Sequence, residues 1–218
     1  MTLIIDQNFT KNCEPRPEGK SVQYLILHYT GCAARVAAAR FLDHTPNLQG
    51  GRLSPHYKVD VNGRITQFVH EKMRAWHSGK SYWRGETDIN STSIGIEIVN
   101  MGEYDGYPDF DPDQIAAVID LCRDILSRHE GITPFGVLGH SDVAPGRKLD
   151  PGPKFPWARL AAAGVGVYPR GTDAPPPFSP SNLPHLWGRQ EGEKGRDGVG
   201  DDPQKNTFAN LPPTDLSP

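Results

Sequence analysis

The sequence predicts an α/β fold, a central mixed β-sheet flanked by helices, and three features carry that expectation. Residues 22–29 (VQYLILHY) are a short apolar run of β-branched and aromatic side chains, the pattern of a buried central strand. Two strand-like runs, 56–60 and 64–69, flank Asn62-Gly63, a strong hairpin signal that makes part of the sheet antiparallel. Helical segments separate the strand-like runs along the chain.

The elements follow in order. Residues 33–44, rich in Ala, Arg and Leu, read as a helix, and the Pro/Gly/Asn stretch 45–55 reads as a loop long enough to border a site. After the hairpin, residues 93–99 (SIGIEIV) alternate their side chains between two faces of a strand. Asp111, Pro112 and Gln114 look like an N-cap, a first-turn proline and a capping-box glutamine. Ile115, Val118, Ile119, Cys122, Ile125 and Leu126 then recur at helical spacing, so a helix is expected to end near Gly131. A short strand at 135–138 leads into the loop GHSDVAPGRKLDPGPKFPW, and a last helix is expected at 157–163. Beyond Pro169 the composition turns to Pro, Gly and charge without apolar periodicity. Residues 1–169 are therefore expected to form the domain and 170–218 a tail.

The bulk numbers narrow the function. A net charge of -3 and a pI near 6.2 give no field that would hold a polyanion, which argues against nucleic acid or an acidic membrane and for a small, specific substrate. Three widely spaced cysteines, Cys13, Cys32 and Cys122, make no disulfide framework; they read as buried hydrophobes in a reducing compartment. The opening residues carry no basic start, their apolar run is too short for a signal sequence, and no later segment spans a membrane. A cytoplasmic location is the expectation, with a periplasmic one the alternative if a leader has been removed.

Chemistry concentrates between His140 and Asp150, a loop more polar than packing requires. His28 stands at the end of the central strand and His140 follows another, and strand ends are where sites gather in open α/β sheets. Two imidazoles and a carboxylate suffice for a catalytic zinc, which takes three protein ligands and keeps a fourth position open. Asp142 and Asp150 both offer the carboxylate. Spacing does not choose between them, nor does it exclude His56, His70, His77 or Cys32. Glu97 lies mid-strand between Ile96 and Ile98, where an unpaired buried carboxylate is costly and needs a reason.

Five blocks, LILHYT, SPHYKVDVNGRITQFV, RAWHSG, NSTSIGIEIVN and GHSDVAPGRKLDPGPKFPW, occur in the order in which they occur in a known family. From about residue 22 to 169 the chain resembles the type 2 N-acetylmuramoyl-L-alanine amidases, the AmpD-like and AmiD-like zinc amidases with the fold of the peptidoglycan recognition proteins. The resemblance implies zinc held by His28, His140 and Asp150, with Glu97 as the catalytic acidic residue and Lys148 as the catalytic lysine. In those roles Glu97 takes a proton from water and delivers it to the leaving amine, and Lys148 stabilises the oxyanion of the tetrahedral intermediate. His77, Trp76, Asn90 and Arg147 are the expected substrate contacts, Arg147 by meeting a peptide carboxylate with its bidentate fork. Phage relatives place a catalytic tyrosine just before the histidine of the second block. This chain has Pro55 there.

The activity implied is hydrolysis of the amide between (anhydro-)N-acetylmuramic acid and L-alanine, on muropeptides or peptidoglycan fragments. Two rival readings are a noncatalytic peptidoglycan-binding module, against which the intact ligand set argues, and a zinc peptidase acting within the stem peptide.

Overall fold

A computed structural model of the chain describes residues 3–45 and 52–169. The expected tail, 170–218, and most of the loop expected at 45–55 lie outside the described residues. A six-stranded mixed sheet is built from β1 (Ile5–Gln7), β3 (Tyr24–Tyr29), β4 (Tyr57–Val59), β5 (Ile65–Gln67), β7 (Ser93–Ile98) and β8 (Val137–Gly139). Their order across the sheet is β1-β5-β4-β7-β3-β8, with β4 and β5 antiparallel and every other neighbouring pair parallel. A second, two-stranded antiparallel sheet pairs β2 (Cys13–Pro15) with β6 (Met73–Ala75). The helices are α1 (Ala34–Leu42), α2 (Ile89–Thr92), α3 (Pro112–Arg128), α4 (His140–Val143) and α5 (Trp157–Ala162), and none of these is long and apolar enough to cross a membrane.

The large helix forms as its sequence requires. Asp111 Oδ1 accepts hydrogen bonds from the backbone N–H of Asp113 (2.8 Å) and Gln114 (3.4 Å), and Pro112 occupies the first turn, where its missing N–H costs nothing. Ile115, Val118, Ile119, Leu121, Cys122 and Ile125 form its buried face. The glutamine differs from expectation. Gln114 does not close a capping box; its side-chain N–H donates to the carbonyls of Val59 (3.3 Å) and Val99 (2.9 Å), at the ends of β4 and β7. Val59 O also accepts from Val99 N–H (2.9 Å), so the amide completes the pairing of buried carbonyls, which counts for more than a helix-end N–H that solvent can satisfy. The helix stops at Arg128 rather than near Gly131, with His129 as its cap.

Alternation along the strands sorts the two faces of the sheet. Leu25 and Leu27 of β3, Tyr57 and Val59 of β4, and Ile94, Ile96 and Ile98 of β7 pack in one core cluster with α3. Successive strand side chains point to opposite faces, so Ile26, His28, Lys58, Ser93, Gly95 and Glu97 share the other face. Parallel pairing sets His28 opposite Glu97 across β3 and β7 and Lys58 opposite Glu97 across β4 and β7. Both faces are covered: β7 is buried at every residue.

The hairpin carries the three-residue loop that the runs 56–60 and 64–69 leave between them. Gly63 N–H donates to Asp60 O (2.9 Å) and Asp60 N–H to Arg64 O (2.9 Å), with Gly63 at φ +77°, the left-handed conformation that glycine adopts without strain. Of the cysteines only Cys122 is fully buried; Cys13 and Cys32 are half-buried.

Candidate metal centre

Three ligand-type side chains meet at the C-terminal edge of the parallel strands. His28 arrives on β3, His140 follows β8 directly as the first residue of α4, and Asp150 returns on the loop after α4. His28 Nδ1 lies 2.9 Å from His140 Nδ1 and 2.9 Å from Asp150 Oδ2, and His140 Nδ1 lies 3.0 Å from the same carboxylate oxygen. All three residues are buried, and they are the one His/Cys/Asp/Glu group with metal-binding geometry among the described residues. Asp142, the other carboxylate available in the sequence, folds back to accept a hydrogen bond from Gly139 N–H (2.7 Å) and stays out of the cluster.

The outer ring atoms indicate which tautomers would turn the inner ones toward a cation. His140 Nε2–H donates to Ser78 O (3.0 Å), which leaves its Nδ1 as a bare lone pair. His28 Nε2 lies 3.1 Å from His77 Nδ1, and a proton on His28 Nε2 leaves a second bare Nδ1. With both rings in that tautomer, two lone pairs and a carboxylate oxygen converge at about 3 Å, the arrangement that a cation would take up. A divalent cation relieves that repulsion, and the N,N,O donor set suits zinc.

Charges agree with this picture. Burial first, then the charge of His140, lowers the His28 pKa to about 4, so its ring is neutral near pH 7. Burial alone would raise the Asp150 carboxyl, but the neighbouring His140 and His28 rings, whose Nδ1 can donate to Oδ2 in their other tautomer, outweigh it and hold the group well below the usual carboxylate range. A neutral His28 ring and an ionised Asp150 are the forms that a metal ligand set needs.

Glu97 is 7% exposed, and its Oε2 has no hydrogen-bond partner. Desolvation first, and then the charge of Asp150, raises its pKa well above the ordinary glutamate value; the charges of Lys148 and Arg40 oppose the shift. Lys148 is half-buried, with its backbone N–H donating to Ala144 O (3.0 Å), and its charge is felt at both Glu97 and His28. The structure therefore brings all five residues of the expected metal and catalytic set into one neighbourhood.

Residues expected to touch substrate are placed differently. His77 is 5% exposed and sits behind His28, away from the metal-facing edge of that ring. Burial lowers its pKa well below the ordinary value, with the charges of His28 and His56 next in order. Asn90 is buried, and its side-chain oxygen accepts from the backbone N–H of His77 (3.1 Å) and Ser78 (2.8 Å), so it shapes the RAWHSG turn. Trp76 is half-buried with the Arg74 guanidinium 4.1 Å above its ring. Arg147 donates to the carbonyls of Ser78 (2.6 Å) and Lys80 (2.5 Å), which ties the His140 loop to the turn beneath it. Of the other histidines left open by the sequence, His56 is fixed away from the cluster, accepting from Gly95 N–H at Nδ1 (3.0 Å) and donating from Nε2 to Met73 O (3.1 Å). Ser78 and Ser93 were not singled out in the sequence, because a serine beside a histidine carries no motif of its own.

Comparison with known proteins agrees with this geometry. The family model for N-acetylmuramoyl-L-alanine amidase matches residues 18–153. The chain is 42% identical over 160 residues to the N-acetylmuramoyl-L-alanine amidase AmiD of Escherichia coli (strain K12), covering 68% of this chain and 55% of AmiD. It thus spans little more than half the length of that relative. It is 30% identical over 163 residues to the 1,6-anhydro-N-acetylmuramyl-L-alanine amidase AmpD of Haemophilus influenzae, covering 69% of this chain and 86% of AmpD. Among solved structures it matches E. coli AmiD in complex with the substrate anhydro-N-acetylmuramic acid-L-Ala-D-gamma-Glu-L-Lys, with a TM-score of 0.61 at 39% identity over 75% of this chain and 63% of that one. AmpDh3 of Pseudomonas aeruginosa in complex with anhydromuramic pentapeptide gives a TM-score of 0.60 at 38% identity over 76% of this chain and 68% of that one. The chain belongs to the type 2 N-acetylmuramoyl-L-alanine amidase family.

Proposed function

We propose that this chain is a zinc-dependent amidase that hydrolyses the amide between N-acetylmuramic acid, ordinary or 1,6-anhydro, and L-alanine of the stem peptide, in peptidoglycan turnover and muropeptide recycling. The observation that carries this reading is the convergence of His28 Nδ1, His140 Nδ1 and Asp150 Oδ2 beside the unpaired carboxyl of Glu97. Relatives crystallised with anhydromuramyl peptides support the substrate class.

His28, His140 and Asp150 are the residues that would hold the metal. Zinc bound there acidifies water and polarises the scissile carbonyl. Glu97 does the proton work: its raised pKa makes it a stronger base than an ordinary glutamate, able to accept a proton from water and release it to the leaving amine of L-alanine. Lys148 places a positive charge near the same point, where it stabilises the oxyanion that develops on the lactyl carbonyl. With Pro55 where phage relatives carry a tyrosine, Glu97 and Lys148 share that electrostatic task alone. A noncatalytic binding module would need neither the convergence of His28, His140 and Asp150 nor a buried, unpaired carboxyl at Glu97.

Mass spectrometry of products from a defined anhydromuramyl tripeptide tests the reading. The expected products are the free muramic acid and an intact stem peptide with a new L-alanine amine. Cleavage between amino acids would assign the chain to the peptidases, and binding without cleavage to the recognition modules.

A further inference from the structure

From its hydrogen bonds, we infer that His77 is a positioning residue that locks His28 in its zinc-binding tautomer, through a chain of hydrogen bonds anchored on the backbone carbonyl of Ile89. This inference rests on the zinc reading above and deepens it. Each link has a fixed direction. Ser93 Oγ–H lies 2.6 Å from Ile89 O, a group that can only accept, so the serine hydrogen is committed there. Ser93 Oγ is then left to accept from His77 Nε2, 3.2 Å away, which places the single proton of the neutral His77 ring on Nε2. His77 Nδ1 is therefore an acceptor. It receives His28 Nε2–H at 3.1 Å, with the Ser78 hydroxyl as a second donor at 3.1 Å. A His28 ring protonated at Nε2 presents a bare Nδ1 to His140 and Asp150, as a metal ligand must.

The surrounding sequence is shaped to admit this ring. Gly95 sits in the middle of β7 with ordinary extended geometry, a place where glycine weakens a strand and needs a reason. A Cβ built at Gly95 would lie 2.4 Å from His77 Cγ and 2.5 Å from its Nδ1, so the ring lies flat against the strand where a side chain would otherwise be. Asn90 fixes the other end by accepting from the His77 backbone N–H. His77 meets His28 edge-on, with ring centroids 5.1 Å apart and planes at 83°, the orientation that aims a lone pair at an N–H. A substrate contact would need an open edge on this ring, and both of its nitrogens are already engaged among buried groups.

The test compares zinc affinity, by competition with a chelator of known strength, in wild type, His77→Ala, His77→Asn and Ser93→Ala. Outer partners of metal-bound histidines are worth about 10- to 100-fold in metal affinity, and His77→Ala is expected to lose that much. Asn places its side-chain oxygen where Nδ1 stood, so His77→Asn should recover most of the loss. Filling the site with a residue of similar size but no acceptor should not. Ser93→Ala removes only the anchor and should weaken zinc in the same direction by less, which keeps the test alive if His77→Ala does not fold. In zinc-loaded wild type, long-range proton–nitrogen NMR should find the protons of both His28 and His77 on Nε2. Wild-type zinc affinity in His77→Ala and Ser93→Ala, or a His77 proton on Nδ1, would overturn the inference while leaving the amidase reading intact. A wild-type chain that binds no zinc would sink both.

Discussion

Replacing Glu97 with glutamine should move stability and activity in opposite directions. The side chain is buried in the middle of β7 with Oε2 unpaired, and desolvation together with the Asp150 charge raises its pKa. In the unfolded chain the group ionises near the ordinary 4.5, so above that pH the folded protein must either take up a proton or bury a charge, and both cost stability. The sign follows: stability tied to this group is full below pH 4.5 and is lost as pH rises through the elevated folded value. Glutamine has nothing to titrate. Relief of one unpaired buried charged atom is worth about 1–3 kcal/mol, which in a domain of this size raises Tm by roughly 2–4 °C per kcal/mol. Activity should fall by about 10²–10⁴, the contribution of a positioned general acid–base, or roughly 3–5 kcal/mol of barrier. The assay pairs thermal melts of metal-free wild type and Glu97→Gln at pH 7 and pH 4 with turnover of a soluble muropeptide. Wild-type turnover in the variant would refute the role of Glu97. A Tm difference that is absent at pH 7, or as large at pH 4 as at pH 7, would refute the electrostatic reasoning.

Lys148→Ala should retain zinc yet lose about 10²–10³ in kcat, the range for removing one oxyanion stabiliser; stoichiometric zinc loss in this variant would mean the lysine acts on the ligands instead. His56 is neutral in the fold, burial first and the Arg16 charge second lowering its pKa to about 3 from the ordinary 6.5. A folded value below the unfolded one means stability that is present above pH 6.5 and lost as pH falls toward 3, so wild type should lose Tm more steeply across that window than His56→Asn, and parallel curves would contradict it. Asp111→Ala removes the cap of α3 on the far side of the sheet from Glu97, and should cost about 1 kcal/mol of stability with unchanged turnover in a standard assay.

Elements that bury a regular apolar pattern were legible in the sequence. The face of α3 from Ile115 to Ile125 signals its type by its helical period and β3 by a short continuous apolar, β-branched and aromatic run, and Asp111 marks the helix start by its chemistry. The strands β1, β2 and β6 were not legible: β4 and β5 are as short but flank an Asn-Gly turn, whereas these three have no turn signal between paired runs and form only against partners distant in sequence. Gln114 shows the limit of local motifs. Its spacing fits a capping box, yet two buried carbonyls from strands distant in sequence compete for the same amide and win. The candidate ligands were visible as strand-end histidines and a loop carboxylate, but the choice of Asp150 over Asp142 depends on how the loop after α4 returns, which the spacing of acidic residues does not encode. His77 read as a substrate contact in a short motif. The glycine in SIGIEI was the one sequence signal that something large lies against β7.

The most direct test of a zinc amidase built on His28, His140 and Asp150 is a zinc titration of verified metal-free enzyme, with hydrolysis of a defined muropeptide as the readout. Activity should be absent at the start, rise linearly and saturate at one equivalent of zinc, and His28→Ala or Asp150→Ala should show no rise at that stoichiometry. Full turnover by the metal-free chain, or restoration that is indifferent to these ligands, would contradict the account.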